Sequence, residues 1–167
     1  MNKDQINEKL LQIQESSLNS GGYFQSHLIK KENNFSDCLT TLKIEFQKIE
    51  RYNNPTSDGK YFESRDLNSI ELTEIQNWEL ELRKEIKHWT NFELIDKTTI
   101  NRYNQTKIDE AERELIHILK SYSNDFRLFT NHGKFDSNFA IWGDHINKDL
   151  YFDFMSYVLV IHFGWSS

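Results

Sequence analysis

One cysteine, one proline, two methionines and six glycines are spread over 167 residues. A lone cysteine excludes an internal disulfide. Cys38 stands beside Leu39 and ahead of Leu42, the setting of a buried structural thiol rather than a nucleophile. Basic residues are in deficit, with 20 Lys plus Arg against 26 Asp plus Glu, a formal net charge of −6. That balance argues against a protein that grips nucleic acid through its phosphates, which requires a basic face. Long apolar runs are missing too, and none approaches the ~20 residues that cross a bilayer as a helix. Residues Met1 to Ile6 hold no apolar stretch of the kind that follows the basic residues of a secretory signal, so a cytoplasmic location is expected.

What the chain does have is aromatic weight. Phe, Tyr and Trp make up 14% and hydrophobic residues 37%, which separates it from disordered acidic chains. Its length suits one domain over residues 1–167 and is sufficient to bury a core. Abundant Asn, Lys, Ile and Glu suggest an AT-rich coding sequence of a bacterial or phage kind.

Apolar spacing predicts about four helices within residues ~4–122, packed on a small antiparallel C-terminal sheet over ~126–164, an α+β fold. The first helix runs from about Asp4 to Ser17 on Ile6, Leu10 and Ile13. Residues 23–34 read either as a short strand or as a loop. A second helix follows Ser36 as N-cap, with Leu39, Leu42, Phe46 and Ile49 along one stripe. Residues 53–59 form a turn cluster. A third helix starts at Ser69 or Thr73 and carries Ile75, Trp78, Leu82, Ile86 and Trp89 on one face. The fourth runs from about Thr106 to Tyr122, and its opening turns hold Asp109, Glu110 and Glu112, the sign that a helix N-terminus favours. Strands are expected over residues 126–130, 138–142, 150–154 and 157–163, with residues 144–149 closing a hairpin. The alternative is a mostly α fold in which residues 150–162 form one buried C-terminal helix. The β-branched run Val158 to Ile161 favours strand.

No diagnostic catalytic motif is present. His132, His145 and His162 share the C-terminal region with Asp136, Asp144 and Asp153, but no recognisable metal-ligand spacing joins them. On a strand, His162 alternates with Val158 and Val160, as a satisfied, partly buried histidine would. No nucleophile elbow surrounds Ser156, and Gly21-Gly22 lacks the Lys-Ser or Lys-Thr of a phosphate loop. Neither a metal nor a cofactor is expected.

The distribution of charge is more informative. Residues 1–62 hold eight acids and eight bases, whereas residues 63–133 hold fourteen and ten, and residues 134–167 four and two. The acidity therefore belongs to the later part of the chain. Along the third helix, at about 100° per residue, Glu74, Glu81 and Glu85 fall within about 40° of one another, opposite Arg83 and Lys87. Like charges spaced as Glu81 and Glu85 are cost a helix a few tenths of a kcal/mol, so such a stripe suits a cationic partner as well as solvent. In the hairpin, parity puts Asp149, Tyr151 and Asp153 on one face, opposite Leu150, Phe152 and Phe154, while Trp142 and Asp144 share parity on the neighbouring strand. With the apolar set facing the core, the other side would present aromatics and acids together, the composition of a protein-binding surface.

Two classes of function remain. The first is a non-enzymatic cytoplasmic binding protein that inhibits a basic partner, such as a nuclease toxin domain, by covering its cleft. In general character the chain resembles the immunity proteins that bacteria pair with polymorphic or contact-dependent toxins: small, acidic and without catalytic signatures. That likeness rests on no motif and assigns no residue a role. The second is a small enzyme with an unrecognised His/Asp site in the C-terminal region; a phage-derived regulatory subunit is a further possibility. On the first reading the partner surface comprises Trp142, Asp144, Asp149, Tyr151 and Asp153, or else the flank of Glu74, Glu81 and Glu85. Reversing Asp144, Asp149 and Asp153 to lysine should then weaken capture without unfolding the chain. Neither nucleic acid nor a membrane is an expected partner.

Overall fold

The computed structural model describes residues 1–18, 22–35, 72–91, 102–131 and 146–165. Among these are three helices, α1 (Lys3–Glu15), α2 (Trp78–Thr90) and α3 (Gln105–Tyr122), and five strands. The strands are β1 (Gly22–Lys30), β2 (Leu72–Ile75), β3 (Arg127–Asn131), β4 (Ile146–Asp153) and β5 (Tyr157–Trp165). The architecture is α+β. The expected second helix, Cys38, the turn cluster and the strand at 138–142 lie outside the described residues.

Each helix starts behind an asparagine. Asn2 accepts from the Asp4 amide, Asn77 from Leu80 and Asn104 from Lys107. A side-chain acceptor there satisfies an amide that the first turn leaves open, worth about 1 kcal/mol. Beyond the caps, apolar residues recur every three or four positions and face inward: Ile6, Leu10 and Ile13 on α1, Leu82, Ile86 and Trp89 on α2, and Ile108, Leu115 and Leu119 on α3.

Two expectations change here. The third helix begins at Trp78, not at Ser69 or Thr73, because Leu72–Ile75 is a strand and the cap is Asn77. Ile75 lies three residues before Trp78, a spacing that continues the helical stripe across the break by coincidence. On α3 the first turn holds no acid, since the helix begins at Gln105. The dipole effect fades within that turn, so it does not explain Asp109 or Glu110.

The five strands form one antiparallel sheet in the order β1-β5-β4-β3-β2. The alternative of a buried C-terminal helix is overturned, since residues 150–162 belong to β4, β5 and the turn between them. The ambiguous segment after Gly22 is β1, paired with β5 from Gly22 opposite Trp165 to Lys30 opposite Tyr157. At the outer side of β1, the amides of Phe24 and Ser26 donate to α1 instead of a strand. Gln14 Oε1 accepts from Phe24 and Asn7 Oδ1 from Ser26, each at 2.7 Å.

One face of the sheet carries the row Leu28–Leu159–Phe152–Leu128–Ile75, which packs under the helices. The opposite face carries three rows: Gln25–His162–Asp149, His27–Val160–Tyr151–Phe129–Glu74, and Ile29–Val158–Asp153–Arg127. That second face is also enclosed at its centre, where Val158, Val160, His162, Asp149 and Tyr151 are buried. Phe35 stacks on Phe129 with centroids 5.1 Å apart and meets Tyr151 edge-on at 6.2 Å.

Candidate functional site

Strand parity is as expected from the alternation in the sequence: Leu150 and Phe152 face the helices, while Asp149, Tyr151 and Asp153 share the opposite side. The exposed surface expected there does not form. The Asp149 and Tyr151 side chains form no exposed patch, since each residue is only 1% accessible. The reason lies on β5, whose Val158 and Val160 make the second face apolar at its middle, so that both sides of the sheet are removed from water.

Within that layer two ionic groups form. His162, 0% exposed, meets Asp149 at 2.7 Å between Nδ1 and Oδ1. An ionised carboxylate only accepts, so the ring N–H is the donor. The Tyr151 hydroxyl donates to the second Asp149 oxygen at 3.3 Å. Burial first, then the Asp149 charge, pushes the Tyr151 phenol well above its ordinary range. His27 lies in the adjoining row, and burial, followed by the nearby His162, lowers its pKa to about 4. Among the described residues no group of three His, Cys, Asp or Glu side chains could hold a metal ion.

The second group centres on Asp153. Lys31 donates to its Oδ1 at 2.5 Å and Arg127 to its Oδ2 at 2.8 Å. The carboxylate ties the end of β1 to β3 across two intervening strands, an arrangement that depends on both cations. Lysine at 149 or 153 would place an ammonium against His162, or against Lys31 and Arg127, in a buried layer. The expectation that such reversals spare the fold is therefore withdrawn.

The supposed helix flank is divided by the strand at Leu72–Ile75. Glu74 is exposed on β2 and shares the sheet face of Tyr151 and Phe129. Glu81 pairs with Lys84 at 3.1 Å. Glu85 is buried, and its Oε2 accepts from Trp89 Nε1 at 3.2 Å. Removal from water raises the Glu85 pKa. Trp142 and Asp144 lie outside the described residues. The structure thus gathers Glu74, Asp149, Tyr151 and Asp153 on one face and separates them from Glu81 and Glu85.

Sequence reasoning passed over a further group, at the junction of α1 and α3. The Asn104 amide donates to the Ser16 carbonyl at 3.0 Å, and between the two helices runs a groove of about 350 Å³. Glu15 and Glu110 stand on its two sides. The available signal was Glu15 itself, an acid in the closing turn of a helix that has no base there.

No family model matches the chain, and no curated protein matches it. Crystal structures of citrus MAF1 are similar in two crystal forms. One is 17% identical with a TM-score of 0.44, covering 99% of this chain and 98% of that one. The other is 15% identical with a TM-score of 0.42 and covers 99% of each. Such scores do not define a shared fold.

Proposed function

We propose that the chain is a non-enzymatic binding protein, a cytoplasmic inhibitor of the immunity class that neutralises a basic, nuclease-like toxin by covering its active or substrate-binding site. The observation that carries this reading is where the charge resides. Asp149 contributes a formal −1, and Asp153 with Lys31 and the exposed Arg127 a formal +1, so the two buried aspartates and their cations cancel. The whole formal −6 is left to the remainder of the chain. A negative field of that kind speeds encounter with a cationic partner and is weakened by salt. On this proposal Glu74, Trp142 and Asp144 are contact residues, or else Glu81 on α2 is. Asp149, Tyr151, Asp153 and Glu85 support the surface from within.

The rival enzyme reading has one observation in its favour, the 2.7 Å contact of Asp149 with His162. A general base must come within hydrogen-bond reach of a substrate proton, and the His162 ring is wholly enclosed. Capture experiments with the whole chain at low and high salt separate the two. A stoichiometric basic protein held at low salt and released at high salt supports inhibition. Absence of such a protein, together with a turnover lost on substituting Asp144 or His145, refutes it.

A further inference from the structure

We draw no further inference here: the strongest candidate, the apolar surface at the β4–β5 turn where Met155 is exposed and the half-buried Phe126 packs against Trp78 and Phe154, is an unpartnered face, and nothing in the structure shows what covers it.

Discussion

The Asp149 carboxylate and the His162 ring face each other across neighbouring strands, 2.7 Å apart and closed off from water. Neither strand could hold its polar residue there alone, because each group satisfies the other's hydrogen bond in a layer made of valine and aromatic neighbours. Deleting one partner leaves the other buried without its main contact. Asp149→Ala should therefore cost about 3 kcal/mol, seen as a lower urea midpoint. His162→Ala in the same background should cost much less than it does alone. Equal costs in both backgrounds would show that the two residues are not coupled.

His27 gives the protein an acid-sensitive term. Its folded-state pKa is lowered from 6.5 to about 4, chiefly by burial. In the interval between those values the unfolded chain binds more protons than the folded one. The associated stability is complete above pH 6.5 and is lost as pH falls toward 4, by on the order of 2 kcal/mol after allowance for partial solvent screening. His27→Gln should flatten the dependence of the urea midpoint on pH across this range. A slope unchanged by that substitution would assign the effect elsewhere.

Glu85 acts in the opposite sense. Burial raises its pKa, so the folded chain prefers the protonated form, and the ionised form costs stability as pH rises through the folded-state value. The nearby Lys148 and Lys84 offset part of that cost. Glu85→Gln removes the charge while keeping an oxygen that accepts from Trp89 Nε1. Thermal unfolding at neutral pH should show a gain of about 1 kcal/mol, and the gain should vanish in acid.

The outer side of β1 supplies a prediction about association. Asn7 and Gln14 occupy the amides of Phe24 and Ser26, which an intruding strand would otherwise use. Replacing both with alanine should cost about 2 kcal/mol and produce self-association visible by sedimentation. A double variant that stays as stable and as monodisperse as its parent would show that these bonds do not protect the edge.

The legible parts of the fold are those whose cause is local. The spacing of Ile108, Ala111, Leu115 and Leu119 announces α3, and Val158 to Ile161 announces β5. Strand β1 is obscure because Gln25, Ser26 and His27 interrupt its apolar residues, and what settles it is a distant strand and the side chains of α1. The same distinction governs the site. Alternation assigned Asp149, Tyr151 and Asp153 to one face, yet their burial depends on what adjoins that face. The one local hint was that Val158 and Val160 are as apolar as Leu159 and Ile161, the pattern of a strand covered on both sides. The α1–α3 groove was hidden for a related reason, since Glu15 and Glu110 become neighbours only when the two helices pack.

The pairing of β1 with β5 has a consequence for the order of assembly. Among the described residues, 22–30 pair with 157–165, so the contact spans most of the chain and its closure is entropically costly. On a ribosome the early helix and strand emerge long before the segment that completes them. During that interval Asn7 and Gln14 can shield only one side of β1, and the side meant for β5 stays open to any other extended chain. Synthesis is thus the period in which this protein is most exposed to misassociation, and a fast-closing β4–β5 hairpin shortens it by presenting the missing edge already formed.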